Sequence, residues 1–236
     1  MVRQTQMERG KAFEYAVALA LSRALGVPLD AASAANARMH YDNCDEQSEM
    51  DAAAREAALF VTAYDKQLEA ATLVALQTGS AGQRGDVRDV LMMLPDGSVG
   101  ISAKTHHHAV KHSRLSDTID FGSVWADHPV SQSYWAAVRP VFGQMREMRE
   151  RGMLFRDVQN KEQTLYLPIL TAFEDEFTRL CQSFGGRFIQ RVFRYLIGQH
   201  DFYKVVRETD GVLVQSFNMS GTLGWGRRWA IPSKVD

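Results

Sequence analysis

Cysteine is scarce in this sequence, with only Cys44 and Cys181 among 236 residues. Two cysteines are too few for a disulfide framework, and neither belongs to a CxxC pair, a spacing typical of zinc sites. The composition therefore excludes a disulfide-rich secreted protein and fits a reducing compartment. We expect the protein to be cytoplasmic.

Long apolar runs are missing as well. No segment approaches the roughly 18 consecutive apolar residues of a membrane-spanning helix, and the N-terminal letters MVRQTQMERGKAF contain no apolar signal core. Internal repeats and low-complexity linkers are also absent. We therefore predict no membrane partner. Composition allows one large domain or two small ones, and we predict a single domain over residues 1–236.

An excess of either charge is lacking too. The 27 Lys and Arg residues face 28 Asp and Glu residues, which gives a formal net charge of -1. Such a chain has no global field to attract a polyanion, so any nucleic-acid surface must be local. The charges are unevenly spread, however. Acidic residues dominate residues 30–69, whereas residues 104–114 contain basic side chains and no acidic one.

Apolar periodicity in the first third of the chain predicts helices. One helix covers residues 8–25. A long helix opens with a capping box at Ser48, and its apolar side extends to Leu76 before the glycine-rich residues 78–85 end it. We therefore predict that residues 28–84 form a helical insertion.

The pattern changes to β after the glycine-rich loop. Residues 90–94 and 99–104 flank the turn sequence PDGS and predict a buried hairpin, and residues 202–206 and 212–217 flank ETDG and predict a second one. Helical patterns lie between the hairpins, over residues 131–151, 173–180 and 188–197. Hairpins separated by helices predict an α/β fold with a mixed central sheet flanked by helices.

The first hairpin carries the residues that suggest catalysis. The letters GDVRD at 85–89 precede one strand and SAK at 102–104 ends its partner, so the two ends meet. Lys104 can then face Asp89 or Asp86. A carboxylate that holds Mg²⁺ and a lysine that stabilises charge or orients water suit phosphodiester hydrolysis. We predict Asp89, Lys104 and Asp86 as catalytic residues.

Charged residues on the surface are also common at strand ends, so the same pattern occurs without a catalytic site. The segment after Lys104 is therefore the evidence that favours a functional site. It is dense in groups that bind phosphate or base edges, and it holds four of the seven histidines. The predicted DNA contacts are His106, His108, Lys111, His112, Ser113 and Arg114. Three alternatives stay open. The first is a non-catalytic DNA-binding protein that uses this segment, and the second is a zinc protein that uses His106, His108 and His112. The third is a nuclease of the same fold that acts on another DNA or RNA substrate.

These motifs resemble those of a known family. Residues 86–104 are similar to the split core of the PD-(D/E)XK nucleases. More specifically, GDVRD at 85–89 together with AVKHSRLS at 109–116 resembles the HaeIII-type restriction endonucleases. The resemblance is densest over residues 84–121 and continues in the letters QSFNMSGTL at 215–223.

The resemblance implies a type II endonuclease that cleaves double-stranded DNA within the palindrome 5′-GGCC-3′. It also implies Mg²⁺ as the cofactor, and a cognate DNA methyltransferase that protects host DNA as a genetic rather than a physical partner. A palindromic target favours a two-fold symmetric homodimer, since each subunit then meets one strand in the same way.

One departure from the superfamily concerns the metal ligands. The position two before the lysine, normally acidic, is Ser102, so a ligand is missing or relocated. The letters GKAFE, which end at Glu14, resemble a first-helix signature in which a glutamate faces the metal. The predicted ligands are therefore Asp89, Glu14 and Asp86, with Asp89 favoured over Asp86 because the apolar strand begins directly after it. An exposed Glu14 on an amphipathic helix is the alternative.

Overall fold

The computed structural model describes residues 4–77, 86–106, 108, 110 and 114–228. These residues form two compact units. Unit 1 comprises the described parts of Met1–Lys111 and Ile197–Ala230, and unit 2 comprises the described part of His112–Leu196. This division does not test whether residues 1–236 act as one nuclease domain, which stays a prediction.

Helix α1 (Gln6–Leu25) opens unit 1, and local capping fixes both of its ends. Thr5 and Glu8 form a reciprocal capping box, in which the Glu8 carboxylate accepts from Thr5 N at 2.7 Å. At the other end, Gly26 adopts a φ of 68°, a left-handed conformation that glycine takes without a Cβ clash. The predicted first helix is confirmed.

Two further helices follow, α2 (Ala31–Asp42) and α3 (Gln47–Tyr64). The prediction of one long helix reaching Leu76 was wrong. Helix α3 ends at Tyr64 because Asp65 leaves the helical conformation, with φ −104° and ψ 90°, and its carboxylate accepts from Gln67 N at 3.3 Å to begin a short 3₁₀ turn.

The capping box predicted at Ser48 was wrong as well. Ser48 lies inside α3, whose N-cap residue is Glu46, and no side chain caps that end. The described part of residues 28–84 therefore contains two α-helices and, beyond the 3₁₀ turn, a strand.

A five-stranded mixed sheet completes unit 1. Its strands are β1 (Leu73–Leu76), β2 (Val90–Leu94), β3 (Gly97–Thr105), β4 (Phe202–Glu208) and β5 (Gly211–Phe217). They lie in the order β1 to β5, and all neighbours are antiparallel except β3 and β4, which are parallel. Both predicted hairpins are confirmed, and so is the α/β class with a mixed sheet flanked by helices.

The core of unit 1 forms where α1 and α3 pack against each other and against the sheet. Alternate residues of the two parallel strands are buried in it, namely Val99, Ile101 and Ala103 on β3 and Tyr203 and Val205 on β4. Because side chains alternate between the faces of a strand, the residues between them point to the opposite face. Ser102, Lys104 and Lys204 belong to this second set.

Unit 2 is helical, with α4 (Phe121–Ala126), α5 (Gln132–Glu150) and α6 (Leu167–Ile197). A separate aromatic-rich core, which includes Phe121 and Phe188, holds it together. The helix predicted over residues 131–151 is confirmed.

Helix α6 joins the two helices predicted over residues 173–180 and 188–197. Gly185 lies between them with φ 59° and ψ −147°, a conformation that interrupts the helical path and is open to glycine. None of the described helices is both long and apolar enough to cross a membrane.

Candidate active site

The structure brings together the carboxylate of Asp89 and the ammonium group of Lys104. Lys104 Nζ lies 2.8 Å from Asp89 Oδ2. The same oxygen accepts from Ser102 Oγ at 3.2 Å and from Ala103 N at 2.9 Å. The Asp89 and Lys104 side chains keep 19% and 23% of their surface exposed, so the pair is held firmly yet stays accessible.

The pairing of β2 with β3 explains this convergence. Val90 lies opposite Ile101, and the main-chain N–H of Asp89 donates to Ile101 O at 2.7 Å. Asp89 therefore stands beside the last residues of β3. In an antiparallel hairpin, the residue that precedes the first strand always meets the end of the second.

Asp86 faces Arg88 instead of this pair. Arg88 Nε lies 2.8 Å from Asp86 Oδ1, and Nη2 lies 2.7 Å from Oδ2. Burial raises the pKa of the Asp86 carboxyl, but the hydrogen bonds and positive charge of Arg88, together with Gln77, outweigh it and hold the pKa below its usual value. The described contacts of Asp86 do not support its predicted catalytic and metal-binding roles, which stay predictions.

Arg88 is itself fixed on β3. It is 8% exposed, and its Nη1 donates to Ser98 Oγ at 3.2 Å. Its side chain passes over Gly100, where an added Cβ would lie 2.0 Å from Arg88 Cδ. Gly100 thus makes room for the arginine. The Asp86–Arg88 pair braces the start of β2 one residue before Asp89.

Glu14 projects from α1 into the same environment as Asp89. Its residue is only 8% exposed, so the alternative of an exposed position is excluded. Burial and then the negative charge of Asp89 raise the pKa of the Glu14 carboxyl to about 7, although Lys11 and Lys104 act in the opposite direction. Lys11, one helical turn earlier, donates to Glu14 Oε2 at 2.6 Å.

Asp89 and Glu14 fit a divalent cation. Two carboxylates that repel each other are stabilised by positive charge, and hard cations prefer oxygen ligands. Within the described residues, every hydrogen bond to the Asp89 carboxylate reaches Oδ2, which leaves the lone pairs of Oδ1 for a ligand. In the same part of the chain, no group of three or more His, Cys, Asp or Glu residues could hold a metal ion.

His106 and His108 follow β3 and lie beside Glu208, the last residue of β4. Nδ1 of His106 is 4.0 Å and Nε2 of His108 is 3.2 Å from the Glu208 carboxylate. His106 has a φ of 50°, a left-handed conformation uncommon outside glycine. At least half of each imidazole surface is exposed, so both rings can reach a ligand.

The remaining predicted DNA contacts are less well placed. Lys111, His112 and Ser113 lie outside the described residues, so their roles stay predictions, as does the zinc alternative that needs His112. Arg114 is described, belongs to unit 2 and has an exposed side chain.

Lys204 was not predicted from the sequence. This lysine lies opposite Ser102 in the parallel pairing of β3 and β4, and its residue is 1% exposed. Its Nζ donates to the main-chain oxygen of His108. One signal could have drawn attention to it, since a single charge interrupts the apolar letters FYKVV of a buried strand.

An acid and a lysine thus meet at the end of a mixed sheet, next to a buried glutamate on the first helix. The family model described as HaeIII restriction endonuclease matches residues 10–234. The chain belongs to this family of restriction endonucleases.

A curated relative has a similar sequence. The type II restriction enzyme HaeIII of Haemophilus aegyptius is 38% identical over 152 residues, which cover 63% of this chain and 48% of the relative. The match thus spans about half the length of that relative. No solved structure matches the chain.

Proposed function

We propose that the chain is a type II restriction endonuclease that hydrolyses phosphodiester bonds of double-stranded DNA within GGCC. Family membership supports the reaction class. The sequence target is what the resemblance to the HaeIII-type enzymes implies. One observation carries the chemistry. Lys104, Ser102 and Ala103 all donate to a single oxygen of Asp89, beside the buried carboxylate of Glu14.

We assign Asp89 and Glu14 as the ligands of Mg²⁺. When bound between them, this cation would polarise the phosphate and lower the pKa of a coordinated water. The chain supplies what the cation needs. Three donors fix the orientation of the Asp89 carboxylate, and the short contact from Lys11 fixes that of Glu14. Asp86 acts in this proposal by holding Arg88.

Lys104 provides the positive charge at the reacting phosphate. Its ammonium group is already paired with Asp89, so it is oriented before DNA binds. From this position it stabilises the negative charge that grows on phosphate oxygens, or orients the attacking water. No covalent nucleophile is required for either role. The exposed His106, His108 and Arg114 would contact DNA, Arg114 through a bidentate guanidinium.

Partners follow from this activity. Double-stranded DNA is the substrate, and a cognate methyltransferase would protect the same sites in the host. A palindromic target favours a homodimer, in which each copy cuts one strand. We place the protein in the cytoplasm, where its DNA substrate enters the cell.

The test is digestion of a plasmid of known sequence by the purified protein, with Mg²⁺ and with EDTA. We expect discrete fragments that form only with Mg²⁺, and sequencing of their ends should place each cut within GGCC. Asp89→Asn protein serves as the control for contaminating nuclease. Tight DNA binding without any cleavage would contradict the proposal and favour the non-catalytic DNA-binding alternative.

A further inference from the structure

Lys204 is an unusual lysine because it is buried in the middle of the sheet. Its residue is 1% exposed, and it stands in register with Ser102 on the neighbouring strand. Ser102 donates to Asp89, so only β3 separates Lys204 from the proposed metal ligand. Lysine is rarely buried without a partner of opposite charge, since desolvating an ammonium group is costly.

No carboxylate contacts this ammonium group within the described residues. The ion pairs of that part of the chain do not include Lys204. Burial and the nearby charge of Lys104 lower the pKa of the Lys204 ammonium group, and Glu208 only partly opposes them. The protein therefore keeps a buried amine where an apolar side chain would pack more favourably.

The hydrogen bond that Lys204 makes leads to the chain that leaves β3. Its Nζ donates to the main-chain oxygen of His108. The ladder between β3 and β4 extends to His106, whose N–H donates to Arg207 O at 2.9 Å. His106 has a left-handed backbone conformation. Two residues later, His108 O lies against Lys204, the residue opposite Ser102 in the sheet. The chain has thus turned back along the sheet.

We infer that Lys204 is a positioning residue of the active site, which clasps this turn through the His108 oxygen and so fixes Lys104 relative to Asp89. The inference rests on the proposed endonuclease function. Lys104 lies two residues before His106 on the same strand, so a clasp on this turn limits how far the end of β3 and its ammonium group can shift. Rigid support of this kind matters because a displacement of about 1 Å can cost on the order of 100-fold in rate.

The test compares Lys204→Met, which keeps an unbranched side chain but has no donor, with Lys204→Arg, which keeps charge and donors. Cleavage of a GGCC duplex is measured at saturating enzyme in a single turnover. DNA affinity is measured with Ca²⁺ in place of Mg²⁺, over a range of salt concentrations, and the melting temperature is recorded. Lys66→Met is the matched control, since the Lys66 side chain is 72% exposed.

We expect the Met variant to melt no lower than the wild type, because an apolar side chain replaces a buried charge. Its single-turnover rate should fall about 100-fold while the salt dependence of its DNA affinity stays unchanged. The Arg variant should recover at least part of the rate, and the control should match the wild type.

Three results would overturn the inference. One is full cleavage by the Met variant. Another is a slope of log affinity against log salt that falls by about 0.9, which would mean that Lys204 contacts a phosphate directly. The third is a Lys204→Arg variant that folds normally but does not cleave. This variant also tests the inference if the Lys204→Met variant fails to fold. A wild-type protein that leaves the GGCC duplex intact would instead refute the proposed function.

Discussion

Lys104 Nζ lies 2.8 Å from Asp89 Oδ2, and this contact joins the end of β3 to the residue that precedes β2. Two neighbouring donors, Ser102 Oγ and Ala103 N, hold the same carboxylate oxygen. Charge-assisted hydrogen bonds are stronger than neutral ones, so the carboxylate has one well-defined orientation. The hairpin brings the two residues together without a ligand.

Replacing Lys104 with Ala should remove cleavage and leave DNA binding in place. In the proposed mechanism the ammonium group stabilises charge that develops during the reaction, so its loss should lower the rate by about 100- to 1,000-fold. Single-turnover cleavage and an equilibrium binding assay measure the two effects. Lys66→Ala, at an exposed position, should behave as the wild type. Undiminished cleavage would remove Lys104 from the mechanism.

Replacing Glu14 with Gln should stabilise the metal-free protein at high pH. The pKa of Glu14 is about 7 in the folded protein, whereas an ordinary glutamate has a pKa of 4.5, so the folded protein binds more protons between these values. The free energy of unfolding therefore falls as pH rises from 4.5 to 7 and stays low above pH 7. The loss is on the order of 1 to 3 kcal/mol, and the Gln variant should escape it.

Urea unfolding at pH 4 and pH 8, in EDTA, measures this difference. The variant should gain stability over the wild type only at pH 8, while its Mg²⁺-dependent cleavage is lost. Glu69→Gln is the control, because the Glu69 side chain is 73% exposed and should give no such pH dependence. A Glu14→Gln protein that is less stable than the wild type at pH 8 would contradict the burial argument.

Replacing Gly100 with Ala should displace Arg88. The added Cβ would lie 2.0 Å from Arg88 Cδ and 2.8 Å from Arg88 Cβ, so the arginine must move and its bonds to Asp86 weaken. We expect a loss of about 1 to 3 kcal/mol in the free energy of unfolding, together with slower cleavage. Gly10→Ala is the control, because nothing lies within 4 Å of a Cβ there. Equal effects of Gly100→Ala and Gly10→Ala would contradict the role of the Asp86–Arg88 pair in bracing the start of β2.

Replacing Glu176 with Gln should destabilise unit 2, whereas replacing Glu14 with Gln should stabilise the protein at high pH. Glu176 accepts from Ser131 N at 2.7 Å and from Arg179 Nη2 at 2.6 Å. Burial raises the pKa of Glu176, but these hydrogen bonds outweigh it and lower the pKa below 4.5. The carboxylate therefore contributes stability above pH 4.5 that is lost as pH falls through the lowered pKa.

Unfolding of the Gln variant should thus require about 1 to 3 kcal/mol less than the wild type at pH 7. The gap should narrow below pH 4.5. Glu162→Gln, at a position outside this network, is the control. If the difference in the free energy of unfolding between the two proteins does not change with pH, the shape of the Glu176 side chain, and not its charge, stabilises the contact.

The convergence of Asp89 and Lys104 could be predicted from the sequence because it depends on one short hairpin. Strand alternation and a turn motif were sufficient there. The same reasoning failed for Leu73–Leu76, a short apolar run that fits a helix or a strand equally well until its partner β2 is known. The predicted roles of Asp86 overlooked a local contact, since its carboxylate bonds to Arg88, which is only two residues away in the sequence.

Lys204 could not be placed from the sequence for a different reason. The residues that it contacts, on β3 and in the turn at His108, are distant along the chain. No local sequence pattern predicts which two strands pair in parallel. The pKa of Glu14 likewise depends on burial and on Asp89, which come from separate elements. Long-range packing determines both features.

The parallel pairing of β3 with β4 has a consequence for synthesis. β3 emerges early from the ribosome, but the strand that pairs with its open edge comes only after the whole of residues 112–196. Non-local pairing of this kind is slow to form, since a long loop must close first. Lys104 thus sits on a sheet that lacks its parallel neighbour until β4 has been made, so a chain that stops before β4 should not cleave the DNA of the cell that makes it.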